Sequence, residues 1–148
     1  MGSQQTVASS VASSLALYKK SVFEKNVEDF VSIYAPNLMV YDAWDKWSIE
    51  GLPAWREMAT EWLGSLGDER VVVDFDNLRE TTQDRMAFAT AIVRYTAVDA
   101  SGAKLRSLEN RHTWVFERTK AGWQIVHQHS SAPASGETMK ISLSRLSN

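Results

Sequence analysis

The sequence contains no cysteine among its 148 residues. This absence excludes disulfide bonds, thiolate-bound zinc and catalysis by a thiol nucleophile. Long apolar runs are also missing. No segment approaches the roughly 18 uninterrupted apolar residues that a membrane-spanning helix needs, and no basic stretch leads into an apolar one as in a secretory signal. We therefore expect no membrane association and a cytoplasmic location.

A large excess of charge of one sign is absent as well. The 16 basic and 18 acidic residues give a formal net charge of −2, and the basic residues form no stripe. Because nucleic-acid binding depends on such clustering, we expect none. Phosphate-binding loops, dinucleotide fingerprints and the GxSxG motif of serine hydrolases are also absent. We expect a protein that acts without a cofactor.

Tryptophan, in contrast, is abundant, with six residues. Large aromatic side chains fill cores, line ligand cavities and cover subunit interfaces. The excess is compatible with each of these uses and proves none of them.

Apolar residues of the first half recur at helical spacing. A first helix is predicted from Val7, Val11, Leu15, Tyr18 and Val22, which share one face. A second is capped by Asn26, ends before Pro36, and has an apolar stripe of Val27, Phe30, Val31 and Tyr34. A third runs from Gly51 to Gly67, with an apolar side made of Trp55, Met58, Ala59, Trp62 and Leu66.

The second half alternates apolar and polar residues, which is typical of strands. One strand is predicted at 38–44, and four more at 70–80, 85–98, 105–118 and 123–131, joined by short turns. Short connections favour antiparallel neighbours, and strands this long must bend. We expect an α+β fold in which a strongly curved, mixed or antiparallel sheet wraps around three N-terminal helices.

The chain is long enough for one domain, which we place at residues 1–134. The tail at 135–148 alternates Met139, Ile141 and Leu143. It could add an edge strand, cover a partner or be disordered.

Two of the three histidines, His127 and His129, lie two residues apart in a predicted strand, and strict alternation places them on one face with Trp123 and Ile125. A metal site needs a third ligand, and the spacing around His112 does not match a known motif. We expect no metal and favour imidazoles that pack and hydrogen-bond.

Acid–base chemistry has better candidates elsewhere. Asp42 interrupts an apolar run, so its carboxylate should be partly desolvated and its pKa raised. It could abstract a proton or bond a loop amide. Arg111 faces the same side of its strand as Glu109 and Thr113, and could pair with Glu109 or Asp42 or hold a ligand's carboxylate or carbonyl.

The order of elements resembles the cone fold of the nuclear transport factor 2-like superfamily, and its details resemble the SnoaL-like branch. The motif "GWQIVHQHSSAP" at 122–133 is similar to the last strand of SnoaL-like proteins and of the calcium/calmodulin-dependent kinase association (hub) domain. Arg111 with Thr113 resembles the Arg-x-Thr of the preceding strand, and Gly51 the glycine before the third helix.

Ketosteroid isomerase shares this fold. Aligned with it without gaps, Asp42 falls on the base and Tyr18 on the oxyanion tyrosine, whereas Arg111 or Glu109 lies near the position of its protonated aspartate. The resemblance implies Asp42, Tyr18 and Arg111 as catalytic residues. Ligand contacts are expected from Trp44, Trp47, Trp55, Glu109, Gln128 and Ser130.

The hub-domain register implies that Val126, Gln128 and Ser130 face the pocket, whereas His127 and His129 lie on the opposite, subunit-contacting face. Family members usually form homodimers through that face. Two functions follow as hypotheses. One is a small-molecule-binding protein, for an apolar or carboxylate-bearing ligand, with cofactor-free isomerase, cyclase or dehydratase chemistry. The other is a non-catalytic oligomerisation or ligand-binding module.

Overall fold

The elements of a computed structural model, which describes residues 10–145, are three helices and six strands. The helices are α1 (Val11–Glu24), α2 (Val27–Val31) and α3 (Leu52–Gly64). The strands are β1 (Tyr34–Tyr41), β2 (Ile49–Glu50), β3 (Arg70–Thr82), β4 (Met86–Val98), β5 (Lys104–Thr119) and β6 (Gly122–Ser131).

All six strands form one sheet in the order β2-β1-β6-β5-β4-β3. Strands β1 and β6 run parallel, and the other neighbours run antiparallel. The helices pack on the concave side of this curved sheet. The predicted α+β fold with three helices and a curved mixed sheet is therefore confirmed.

The second helix begins where the sequence predicts, and the first begins at Val11, inside the predicted segment. Ser10 caps α1 through its side chain, and the apolar face of that helix is buried at Val11, Leu15, Tyr18 and Val22. Val7 lies outside the described residues. The Asn26 side chain accepts a hydrogen bond from the amide of Asp29 at 3.0 Å, which caps α2 as expected.

Other boundaries differ from the prediction. Helix α2 ends at Val31, so Tyr34 belongs to β1 and pairs with Ile125 of β6. Pro36 lies inside β1, where the ladder with β6 shifts register, because proline has no amide hydrogen to donate. Strand β1 ends at Tyr41, so Asp42 and Trp44 lie in the loop that follows it.

Two further boundaries also differ. Helix α3 ends at Gly64 with Ser65 as its cap, not at Gly67, which adopts a positive φ of 61° in the next turn. The two-residue strand β2, at Ile49–Glu50, has no counterpart in the sequence-based assignment, since two residues are too few to show a pattern.

A β-bulge in β6 decides which of its side chains face inward. Phe116 pairs with Ile125, but the next residue, Val115, pairs with His127, so Val126 is an extra residue. Trp123 and Ile125 are buried before the bulge, and Gln128 and Ser130 are buried after it. His127 and His129 consequently lie on the outer face, which strict alternation would not give.

The tail lies beside β5 beyond the point where β6 ends. Ala134 bridges Ile141, and the carbonyl oxygen of Leu143 accepts a hydrogen bond from the Glu109 amide at 2.7 Å. Up to residue 145 the tail forms a single bridge of this kind and no edge strand.

Candidate functional site

A cavity of about 710 Å³ lies between the helices and the concave face of the sheet. This volume is within the range of small-molecule sites. Its aromatic lining comes from every layer of the fold: Tyr18, Phe30, Trp44, Trp55, Trp62 and Tyr95.

A chain of hydrogen bonds crosses the inner wall. Tyr18 of α1 and Tyr95 of β4 share a hydrogen bond of 2.9 Å between their hydroxyl oxygens. The Tyr95 hydroxyl also lies 3.1 Å from Nε2 of His112, on β5. Burial raises the pKa of both tyrosines, and the charge of Asp42 adds to the effect. Burial also lowers the pKa of His112 to about 3, so the imidazole is neutral at physiological pH.

Asp42 lines the cavity directly after β1. The Ser130 hydroxyl donates a hydrogen bond to Oδ1 of Asp42 at 2.9 Å, and the same hydroxyl accepts one from the Ala43 amide at 2.8 Å. Desolvation raises the pKa of the Asp42 carboxyl, while its hydrogen bonds with Ser130 and Ala43 act in the opposite direction. A carboxylate in this state is suited to accept a proton.

Gln128 lines the cavity beside these groups and is 2% exposed. Its Oε1 accepts hydrogen bonds from the Tyr34 hydroxyl at 2.5 Å and from the Trp114 indole N–H at 3.1 Å. One amide oxygen thus connects three strands, which holds this part of the wall in place.

The structure brings together several of the predicted site residues. Tyr18, Asp42, Trp44, Trp55 and Gln128 all line the cavity, and Ser130 contacts Asp42.

Arg111 lies elsewhere. Its side chain is exposed on the outer face of the sheet, where Nε donates to the Ser131 hydroxyl at 3.1 Å. The expectation that Arg111 shares a pocket with Asp42 and Tyr18 is therefore wrong. The reason is the alternation of β5, which turns its two neighbours Asn110 and His112 inward.

Glu109 and Trp47 are also outside the cavity, contrary to prediction. The Glu109 carboxylate forms ion pairs with Arg94 and with Arg145 of the tail on the outer face. Trp47 is 97% exposed, because the loop after β1 carries it away from the helices.

Among the cavity residues that were not anticipated, four carry polar groups or large aromatic rings. Asn110 and His112 could have been found, because the sequence already places them on the face opposite Arg111. Tyr95 and Trp62 reach the cavity only through tertiary packing, which places their ring centroids 6.2 Å apart, and no local motif indicates it.

The rim of the cavity is predominantly acidic. Its exposed charged side chains are Asp45, Lys46, Glu57, Glu61 and Arg106. Arg106 is already paired with Glu69 at 2.6 Å. Together with Asp42 inside, the rim disfavours an anionic ligand.

Neither a membrane-spanning helix nor a metal-binding group of side chains is found in residues 10–145. No helix there is long and apolar enough to cross a membrane. No group of three or more histidine, aspartate or glutamate side chains in the same part of the chain is arranged to hold a metal ion.

Solved structures resemble this fold over most of its length. An NTF2-like protein of unknown function from Pseudomonas putida superposes with a TM-score of 0.80 at 21% identity, covering 90% of this chain and 91% of that one. A candidate calcium/calmodulin-dependent protein kinase II association domain from Xanthomonas campestris has a TM-score of 0.65 at 20% identity, with coverages of 83% and 85%. At these identities the likeness shows the fold alone.

A third similar structure is a candidate aromatic ring hydroxylase from Novosphingobium aromaticivorans, with a TM-score of 0.67, 14% identity and coverages of 82% and 85%. None of the curated proteins is significantly similar to the sequence. The profile of the SnoaL-like domain matches residues 11–135. The chain belongs to the SnoaL-like domain family.

Proposed function

We propose that the cavity binds a small, largely apolar and uncharged molecule, and that Asp42 abstracts a proton from a carbon next to a carbonyl group of that molecule. The observation that carries this proposal is the position of a partly desolvated carboxylate in an aromatic cavity that also holds the Tyr18 hydroxyl. A carboxylate with a raised pKa is a stronger base than an exposed one.

The proposed step balances without a further reactant. Asp42 takes the proton, and the electron pair of the broken C–H bond moves towards the carbonyl oxygen. The Tyr18 hydroxyl donates a hydrogen bond to that oxygen as negative charge develops. Return of the proton to a different carbon would complete an isomerisation, and loss of a leaving group would complete a dehydration.

The lining favours an uncharged ligand over a carboxylate-bearing one. Arg111, the residue expected to hold a carboxylate, points away from the cavity, and Arg106 at the rim is already paired with Glu69. The deep wall consists of neutral aromatic, amide and imidazole groups. An anion would lose its hydration there, and Lys46, the other cationic residue of the lining, is an exposed side chain at the rim.

Proton abstraction can be tested without knowing the substrate. The compound 2-tetralone, a bicyclic aromatic ketone, exchanges hydrogen for deuterium next to its carbonyl in heavy water, and NMR follows the exchange. The protein should accelerate this exchange by about 10²-fold or more, and Asp42→Asn should remove the acceleration. Asp84→Asn, at an exposed turn far from the cavity, is the matched control. Equal rates with wild type and Asp42→Asn would contradict the proposal.

A second candidate function, an oligomerisation module, has its own support in the outer face of the sheet. Phe88, Val115, His127 and Met39 form one row across four adjacent strands, and Thr90, Thr113, His129 and Tyr41 form the next. The two rows contain no carboxylate or ammonium group. We call them the outer-face patch.

Several apolar side chains at or beside this patch are exposed, including Phe88 at 46% and Tyr41 at 39%. Such patches commonly mark protein contacts, and we propose that two copies of the chain pair through this one. His127 and His129 would then lie in the interface. A cytoplasmic location remains a prediction.

Sedimentation tests the dimer directly. Wild-type protein should sediment as a dimer at micromolar concentration, and Phe88→Glu should shift it to the monomer, because an unpaired charge is costly in an apolar interface. Trp47→Glu adds the same charge at an exposed aromatic residue elsewhere and should not change the mass. A monomeric wild type would contradict this second function and leave the cavity chemistry unaffected.

A further inference from the structure

His112 occupies one end of the hydrogen-bonded chain that lines the cavity. Its side chain is 4% exposed, and its ring lies 5.1 Å from the Trp114 ring, with the two ring planes tilted by 31°. Nε2 meets the Tyr95 hydroxyl, whereas Nδ1 is buried and has no hydrogen-bond partner within residues 10–145. The two ring nitrogens therefore have different surroundings.

A neutral imidazole carries one proton, and the position of that proton decides the direction of the His112–Tyr95 bond and limits the direction of the Tyr95–Tyr18 bond. If Nδ1 carries the proton, Nε2 accepts from Tyr95. Tyr95 then uses its only hydrogen on His112, so Tyr18 must donate to Tyr95. In that arrangement Tyr18 has no hydrogen left for a ligand.

If Nε2 carries the proton, the His112–Tyr95 bond is reversed. His112 donates to the Tyr95 oxygen, and the hydrogen of Tyr95 becomes available for donation to the Tyr18 oxygen. When Tyr95 donates in this way the hydrogen of the Tyr18 hydroxyl is left free, because that hydroxyl has no other hydrogen-bond partner in the described part of the chain. Since Tyr18 lines the cavity, its free hydrogen is available to a bound molecule.

The surroundings of Nδ1 decide between the two arrangements. With the proton on Nδ1, a buried N–H donor would be left unpaired among aromatic rings. With the proton on Nε2, only an acceptor is left unpaired. Buried N–H groups without partners are rarer than under-used acceptors, because the unpaired donor loses its hydration without compensation.

We propose that His112 holds its proton on Nε2 and, through Tyr95, orients the Tyr18 hydroxyl as a donor into the cavity, so that the site selects ligands presenting an uncharged acceptor oxygen such as a ketone or ester carbonyl. Tyr95 and His112 are positioning residues in this assignment. The assignment rests on the proposed small-molecule function, because the direction of these hydrogen bonds affects function only if a molecule binds next to Tyr18.

One observation agrees with this assignment, and two consequences follow from it. The pKa of His112, lowered by burial, keeps the ring neutral, so that a single proton is shared between its nitrogens. Aligned hydrogen bonds strengthen one another, so the chain makes Tyr18 a better donor than an isolated tyrosine. A ligand ammonium group cannot accept a hydrogen bond, so the inner end of the cavity should exclude amines even though its rim is acidic.

The tautomer can be measured directly by NMR of ¹⁵N-labelled protein, because protonated and unprotonated imidazole nitrogens have widely separated shifts. The sequence has three histidines, so the double variant His127→Gln, His129→Gln on the outer face leaves the signals of His112 alone. The expected result is a proton on Nε2 from about pH 5 to 8. A proton on Nδ1, or on both nitrogens, would overturn the assignment. If the double variant is unstable, the three sets of wild-type signals answer the same question.

The donor itself can be tested with prodan, an aromatic ketone whose fluorescence shifts to the red when its carbonyl accepts a hydrogen bond. Bound to wild type, prodan should emit at longer wavelength than when bound to Tyr18→Phe, and Tyr95→Phe should give an intermediate shift. Tyr41→Phe, on the outer face, is the control and should match wild type.

The outcomes separate this inference from the function on which it rests. Prodan that binds with the same emission in wild type and Tyr18→Phe would overturn the donor assignment and leave the cavity as a ligand site. Prodan that does not bind would count against the ligand site itself. The tautomer measured by NMR would then still decide which of His112 and Tyr95 donates the hydrogen bond between them.

Discussion

The Ser130 hydroxyl donates a hydrogen bond to the Asp42 carboxylate at 2.9 Å, which joins the last strand to the loop after the first. The two residues are 88 positions apart in the sequence. A serine bonded in this way stabilises the ionised form of the carboxyl and limits how far desolvation raises its pKa.

The first prediction concerns this bond. Replacing Ser130 with alanine should raise the pKa of Asp42 further, because the ionised carboxylate loses a donor while its desolvation remains. NMR titration of the Asp42 carboxyl carbon measures the shift. Ser131→Ala, one residue further on and bonded to Arg111 on the outer face, should leave the pKa unchanged. An unchanged or lowered pKa in Ser130→Ala would contradict the assigned role.

The second prediction concerns stability and pH. The folded-state pKa of Asp42 lies above its ordinary value of 3.8, so the folded protein binds this proton more tightly than the unfolded chain does. The resulting stabilisation is complete below about pH 3.8 and is lost as the pH rises through the folded pKa. Asp42→Asn removes the buried charge and keeps an oxygen for Ser130, so it should be about 0.5–1 kcal/mol more stable than wild type at pH 7.

Urea unfolding at about pH 7 and about pH 3.5 measures this difference. The extra stability of Asp42→Asn over wild type should be present at the higher pH and absent at the lower. Asp84→Asn, at an exposed turn, should show no gain at either pH. A less stable Asp42→Asn at neutral pH would indicate that the carboxylate stabilises the fold.

The third prediction concerns Gln128. Replacing it with leucine leaves the Tyr34 hydroxyl and the Trp114 N–H buried without their acceptor. We expect a loss of about 3 kcal/mol in the free energy of unfolding, since each unpaired donor costs about 1–3 kcal/mol. Chemical denaturation gives the value, and Gln124→Leu on the same strand, which removes a single bond from Thr119, should cost much less. A loss below about 1 kcal/mol would mean that the two donors find other acceptors.

The fourth prediction concerns the tail. Hydrogen bonds from the Arg145 side chain and amide lower the pKa of Glu109 from its ordinary 4.5 to about 2. Because the folded pKa is depressed, the stabilisation is complete above about pH 4.5 and is lost as the pH falls towards 2. Arg145→Gln should therefore lower the free energy of unfolding at neutral pH and low salt.

Denaturation at several pH values tests this dependence. The difference between wild type and Arg145→Gln should shrink as the pH falls through the same window, and high salt should reduce it at any pH. Arg85→Gln, which removes an exposed arginine at the opposite end of the sheet, is the control. A stability difference that does not change with pH would show that the contribution of Arg145 does not depend on the charge of Glu109.

The local pattern of the sequence was sufficient for most of the fold. The spacing of four and then three residues between Val11, Leu15 and Tyr18 predicts a helix with one buried face, and Asn26 predicts a cap. Long alternating segments joined by short turns predict an antiparallel meander. These features depend on interactions between residues close in sequence, so their pattern can be read without the tertiary structure.

Side-chain direction was harder to predict wherever a strand is irregular. One extra residue at Val126 reverses the faces of β6, so that Gln128 rather than His127 faces the cavity. The hub-domain resemblance anticipated this arrangement, whereas strict alternation did not. On β5 the alternation was right, and the error was to select Arg111 for its charge over the inward-facing His112.

The sequence by itself determined the helical faces, the strands and the isolated position of Asp42 in an apolar run. Only the tertiary structure decided that Tyr18, Tyr95 and His112 form one hydrogen-bonded chain and that Ser130 contacts Asp42. The physical reason is distance along the chain. Tyr18 and Tyr95 are 77 residues apart, and their contact exists only because a curved sheet closes around α1.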